Sequence, residues 1–188
     1  MKWKNILLVL ALWVVAGACE KKEIPMFTTD DAGIYFQRVT SYIYGSTTEN
    51  YGDSVAYSFV SAQATAKSVV LSATVRTMGK VADYDRPFKV VVNQEGTTAI
   101  EGKHYEVNLD TVVVPAGAST AYVRVRFFRT SDMMEKAIRL ALRLEENEYF
   151  KCYFPEYKNT NAYSATGALI HGDVFAFSLS EMYTAPSY

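Results

Sequence analysis

The chain reads as an all-β protein built as an antiparallel β-sandwich, and three observations carry that reading. Apolar and polar residues alternate with period two across most of residues 34–144, the signature of strands with one buried face. Turn-forming residues interrupt the alternation roughly every ten residues, the spacing of short sandwich strands. No window holds a helical period over three turns.

The N-terminal stretch is targeting sequence rather than fold. Met1–Lys4 is a positive opening, Ile6–Val15 is an apolar run, and Ala16-Gly17-Ala18-Cys19 supplies small residues ending in cysteine. The apolar run is too short for a stable membrane span, which needs roughly twenty residues. The Ala16–Cys19 box resembles the bacterial lipoprotein cleavage site, with Ala16 where a larger aliphatic residue is usual. The resemblance implies that 1–18 is a signal peptide and that Cys19 is lipidated, with a plain signal peptide or an anchor helix as competing readings. At about 0.8 kcal/mol per buried CH₂, several acyl chains would tether a soluble domain to the membrane. Cleavage removes Trp3 and Trp13, both of the chain's tryptophans. Residues 19–32 read as a tether, and 33–188 as a single domain.

The strands follow in order. Ile34–Arg38 is the first, and Ser41–Gly52, rich in Tyr, Thr and Gly, reads as a loop. Val55, Tyr57 and Phe59 share a face. Val69, Leu71, Ala73 and Val75 alternate with polar neighbours, and residues 78–86 form a loop closed by Pro87. Phe88, Val90 and Val92 point inward, and Val112–Val114 is stopped by Pro115 and turned by Gly117. Ala121, Val123, Val125 and Phe127 face the core while Arg124 and Arg126 face solvent. Ile138, Leu140, Leu142 and Leu144 face in while Arg139 and Arg143 face out. Residues 145–167 lose the alternation and collect aromatics, before a last strand at Val174–Leu179. Strands of this length and spacing argue an immunoglobulin-like sandwich, of a size that buries a real core.

Composition narrows the function classes. A net charge of −1 gives no basic footprint for nucleic acid. Two His and two Cys are too few for a zinc site built from those residues alone. With Cys19 lipidated, Cys152 has no disulfide partner and reads as a small semi-buried apolar residue. Glu145, Glu146 and Glu148 suggest paired carboxylates of a glycosidase, but residues so close at a strand end read better as a solvated edge. No nucleophile triad, phosphate loop or metal motif occurs. The expectation is a non-enzymatic protein without cofactor or metal.

One stretch stands apart. Thr97-Thr98-Ala99, Gly102 and His104-Tyr105 lie between strand-like runs, preceded by Arg86-Pro87-Phe88 and followed by Val114-Pro115-Ala116-Gly117. Gly102 suits a positive φ, while His104 and Tyr105 can lay rings over a core with their polar tips bonded to backbone. These residues resemble the corner of the Calx-beta sandwich. With Arg129–Met133 following, the chain is also similar to a family of Bacteroidota lipoproteins that accompany Sus-type glycan-uptake systems. The resemblance spans about residues 34–150. It implies a Calx-beta-type immunoglobulin-like fold, a lipid anchor in the outer membrane facing either side, and a role in glycan capture. An adhesion or structural module contacting envelope proteins is the alternative. Calcium-binding members use clustered loop carboxylates, but Asp83, Asp85, Glu101 and Asp110 are thinly spread for such a cage.

Candidate functional residues are therefore Cys19 for lipidation; Thr98, Gly102, His104 and Tyr105 as a structural corner; and Tyr153, Tyr157 and Tyr163 for ligand binding, since tyrosine rings can stack on sugar faces. Packing of the closing strand is the competing reading of those tyrosines. The four arginines of the two clearest strands form one anion patch if those strands are a hairpin, and split onto opposite faces if the chain crosses between sheets.

Overall fold

The computed structural model describes residues 32–37, 39–42, 49–158 and 169–183. Among them the strands are β1 (Gly33–Phe36), β2 (Val39–Tyr42), β3 (Glu49–Gly52), β4 (Ser54–Ser58), β5 (Ser68–Met78), β6 (Arg86–Pro87), β7 (Lys89–Val92), β8 (Tyr105–Val107), β9 (Val113–Val114), β10 (Thr120–Phe128), β11 (Ile138–Glu145), β12 (Tyr157–Lys158), β13 (Leu169–Ile170) and β14 (Val174–Ser180). No α-helix occurs among the described residues, only short 3₁₀ turns.

Two four-stranded sheets hold the core, one ordered β1-β5-β10-β8 and the other β4-β14-β11-β7. Three two-stranded ribbons, β2-β3, β6-β9 and β12-β13, complete the described strands. The longest pairing joins β5 and β10, from Thr120↔Arg76 to Phe128↔Ser68. In the second sheet β11 pairs with β14 from Ile138↔Leu179 to Arg143↔Val174. Ala73, Val75, Val123, Val125 and Phe127 of one sheet meet Leu140, Leu142, Phe175, Phe177 and Leu179 of the other, all buried. Period-two alternation produces this outcome, because successive side chains of a strand leave on opposite faces.

The antiparallel sandwich that the alternation predicts is present, with one parallel pairing at its edge: β4 lies beside β14, Ser54 opposite Ala176 and Ser58 opposite Ser180. Both strands run from the same end, so the edge they share is parallel. One expectation needs correction. Residues 41–52 are not simply loop, since β2 and β3 form an antiparallel ribbon between Val39↔Gly52 and Tyr42↔Glu49. Backbone pairing there needs no hydrophobic alternation, so periodicity did not reveal it.

Strand directions define two ends. At the upper end β5 finishes at Met78 opposite Gly33, and β11 finishes near Lys89. At the lower end β5 starts opposite Phe128 and β14 finishes opposite Ile138. Eleven residues of β5 at about 3.3 Å each separate the ends by about 33 Å. Because β10 and β11 belong to different sheets, Arg124 and Arg126 lie on one outer face and Arg139 and Arg143 on the other. The single four-arginine patch does not form.

Candidate binding groove and its structural supports

At the lower end several polar side chains are engaged within the fold, although Thr130 Oγ1 and Asp132 Oδ1 are buried without a partner among the described residues. In the Thr97–Tyr105 corner, Thr98 Oγ1 accepts the Arg139 N–H at 2.9 Å, and Thr97 Oγ1 accepts the Ala141 N–H at 2.9 Å. The corner thereby extends the backbone pairing of β11 and packs over Ala141, against which a Gly96 Cβ would stand at 3.0 Å. Gly102 has φ +75° with open space around it, so glycine serves the backbone conformation and not close packing.

His104 is 2% exposed. Its Nδ1 accepts the Ile100 N–H at 2.8 Å, which leaves the proton on Nε2 to be donated to Asp132 Oδ2 at 3.0 Å. Lys103 Nζ meets the same oxygen at 2.6 Å. Lys103 foremost, with His104 contributing, holds the Asp132 carboxyl well below the usual carboxylate range. The neighbouring Tyr105 is buried at 3% exposure beside Phe127; burial raises its phenol pKa, with Glu101 adding to the shift. Both ring nitrogens of His104 are engaged within the fold, an arrangement that suits a structural role.

Just beyond β10, Arg129 grips Glu181 through Nε to Oε2 at 2.8 Å and through Nη2 to Oε1. Its Nη1 donates to the carbonyls of Ala64 and Ala66, and the guanidinium lies 5.8 Å from the centre of the Phe59 ring. The hydrogen bond to Glu181 raises the Arg129 pKa, and the same bond lowers that of the 6%-exposed Glu181. This fork joins the finishing ends of β10 and β14, and so ties one sheet to the other.

The upper end is different. Residues 147–154 cross the start of β1: Lys151 accepts the Ile34 N–H and donates to Ala32 O. Asn147 Oδ1 accepts the N–H groups of Tyr149 and Phe150, and Glu146 accepts the Cys152 N–H at 3.1 Å. These bonds hold the aromatic segment in place. Phe150 is driven inside at 1% exposure, whereas Tyr153 and Phe154 stay 43% and 45% exposed. A Gly33 Cβ would stand 2.9 Å from the Tyr153 ring, and a Gly172 Cβ 2.7 Å from the Phe154 carbonyl. Tyr35, Met78, Phe154 and Gly172 line an apolar groove of ≈ 340 Å³, within the size range of ligand pockets. Beside Tyr35, whose β5 partner is Arg76, Arg76 Nε donates to Gln37 Oε1 at 2.8 Å.

The sequence-derived candidates separate accordingly. Tyr153 lies at the groove's flank. Tyr157 belongs to β12, while Tyr163 and Cys19 lie outside the described residues. Tyr35, Met78 and Phe154 were missed because they are far apart in sequence: the pairing of β1 with β5 sets Tyr35 near Met78, and Gly172, bonded to both Phe36 and Phe154, brings in Phe154. Cys152 is half-buried, and burial, with Asp173 and Glu146 nearby, pushes its thiol up to about 11. Such a thiol is un-ionised at neutral pH and unsuited to nucleophilic work. Glu145 pairs with Lys89 and Glu146 with Lys151. Among the described residues no group of three or more His, Cys, Asp or Glu could hold a metal ion, and no helix is long and apolar enough to cross a membrane.

In comparisons with known proteins, a family described as "Domain of unknown function (DUF4843)" matches residues 30–166. No curated protein matches the chain. Among solved structures it is similar to a "putative carbohydrate binding protein" of Bacteroides ovatus ATCC 8483, at 8% identity and a TM-score of 0.44. That likeness covers 80% of this chain and 37% of the other, and at such a score it lends no weight to any reading of function.

Proposed function

We propose a function for a chain that belongs to the DUF4843 domain family: it is a non-enzymatic, lipid-anchored binding module that holds a glycan at the upper end of its sandwich. The observation that carries this reading is the groove of Tyr35, Met78 and Phe154, flanked by exposed Tyr153. Aromatic and apolar surface can cover the hydrophobic face of a sugar ring, and polar groups next to Tyr35, here its strand partner Arg76 and the Gln37 bonded to it, can fix its orientation.

The strand order supports an immunoglobulin-type sandwich of the Calx-beta kind. Taking β1, β5, β7, β8, β10, β11 and β14 as strands A to G, the sheets read A-B-E-D and C-F-G, with β4 added on the G edge. The Ala16–Cys19 box supports anchorage at the outer membrane, where a glycan-holding accessory protein would work beside an uptake system.

The test is binding of the purified protein to an array of plant and host glycans, repeated with Phe154→Ala and Tyr35→Ala. The expected outcome is a restricted set of bound glycans, weakened by at least about tenfold in either variant, since each removes a stacking surface worth about 1.4 kcal/mol or more. A blank array, or binding indifferent to both substitutions, overturns the reading. Mass spectrometry of the envelope-extracted protein checks the anchor: an unmodified Cys19 would refute it.

A further inference from the structure

Arg86 is 4% exposed, and among the described residues its Nε and Nη2 are buried without a hydrogen-bond partner. Its backbone pairs with Val114, and its guanidinium lies over the Phe150 ring, 4.8 Å from guanidinium carbon to ring centre. Buried cations are ordinarily paired, because desolvating a charge is costly unless a counter-ion or hydrogen bonds offset it. Nε and Nη2 form the side fork of a guanidinium, the edge that matches the two oxygens of a carboxylate. The molecule itself shows this use of the edge, since Arg129 engages Glu181 through the same two atoms.

Arg86 also lines a cavity of ≈ 430 Å³, walled by the loop that precedes it, with Lys80, Asp83 and Tyr84 among the lining residues. That volume admits a small organic molecule. Lys80 offsets Asp83, so Arg86 leaves the wall with a positive balance. Tyr84 is 56% exposed and tilts against Tyr149 at 6.4 Å, placing an aromatic ring at the cavity's side.

We infer that this cavity is a carboxylate-binding site in which the Nε/Nη2 edge of Arg86 receives the ligand's carboxylate. The site is separate from the apolar groove and does not depend on the groove's ligand. Both nitrogens are closed to solvent, so entry shifts the 80–84 wall, and a bound carboxylate fixes that wall in place. A phosphate or sulfate offers tetrahedral oxygens and higher charge, which this single fork over a phenyl ring matches less well than a planar carboxylate.

The experiment titrates the full purified chain with galacturonate, acetate, galactose and sulfate, following backbone amide shifts of Lys80–Arg86 by NMR. Saturable shifts with galacturonate, absent with galactose, are expected. In Arg86→Met these shifts weaken at least about tenfold, as loss of a bidentate charged pair requires, and Arg86→Lys fails to restore them. Acetate binding as tightly as galacturonate assigns the site to free organic acids, and weaker acetate binding assigns it to acidic sugars; both support a carboxylate site. Sulfate competing at equal strength, no saturable shift with any carboxylate, or shifts unchanged in Arg86→Met overturn it. Should Arg86→Met fail to fold, Tyr84→Ala is read instead, and unchanged galacturonate affinity there counts against the site.

Discussion

The two ends of the sandwich treat the same residue type in opposite ways. At the lower end Arg129 lies over Phe59 and spends its donors on Glu181 and two carbonyls. At the upper end Arg86 lies over Phe150 with its side fork unpartnered among the described residues. The contrast is one of particular side chains, since the lower end also carries Tyr183, 75% exposed, and the unpartnered buried oxygens Thr130 Oγ1 and Asp132 Oδ1. Below, Phe59, Tyr105 and Phe127 are buried and His104 is bonded through both ring nitrogens; above, Tyr84, Tyr153 and Phe154 are exposed. The lower end fastens the two sheets together through Arg129 and Glu181. The upper end combines exposed aromatic surface with a buried cation whose side fork has no partner among the described residues, and exposed aromatic surface beside a groove suits ligand holding.

The contrast can be broken at several points, in falling order of effect. Phe59→Ala removes a fully buried ring beneath Arg129 and should cost about 3–5 kcal/mol in denaturant unfolding. Next, Arg129→Met strands the Glu181 carboxylate; the melting temperature should fall markedly, and a melt equal to wild type would deny the fork its role in tying the sheets.

Acid should act on the same end. Glu181 and Asp132 have lowered folded pKa values, set first by Arg129 and by Lys103 respectively. Their contribution is therefore present above the unfolded value near 4 and is lost as pH falls below it. Thermal melts between pH 6 and 3 should decline less steeply for Glu181→Gln and Asp132→Asn than for wild type.

Gly102→Val tests backbone strain apart from packing, because φ is +75° and no heavy atom lies within 4 Å; a loss of about 1–2 kcal/mol is expected. Smallest of all is Arg86→Met. Replacing an unpartnered buried cation by an apolar chain should leave the melting temperature unchanged or raised, and a pronounced drop would mean that Arg86 belongs to the scaffold like Arg129.

Much of the frame was legible in the sequence. Residues 121–127 and 138–144 announced their buried faces by alternation, and Gly102 announced a turn. The β2-β3 ribbon was not legible, because it rests on backbone pairing rather than on a hydrophobic pattern. Nor was the groove. Tyr35, Met78, Phe154 and Gly172 are separated by as much as most of the domain, and the aromatic segment alone gave no sign that Phe150 turns inward while Phe154 stays out.

The amino-acid order by itself determined that strands form, which face of each is apolar, and where turns interrupt them, since these follow from side-chain geometry within a few residues. Only the tertiary structure decided that β10 and β11 enter different sheets, so that four arginines part, and that the Arg129 fork meets Glu181 while the buried Arg86 fork meets no partner among the described residues. Those outcomes depend on which distant segment arrives beside a side chain, and a chain's local chemistry does not encode its neighbours across the fold.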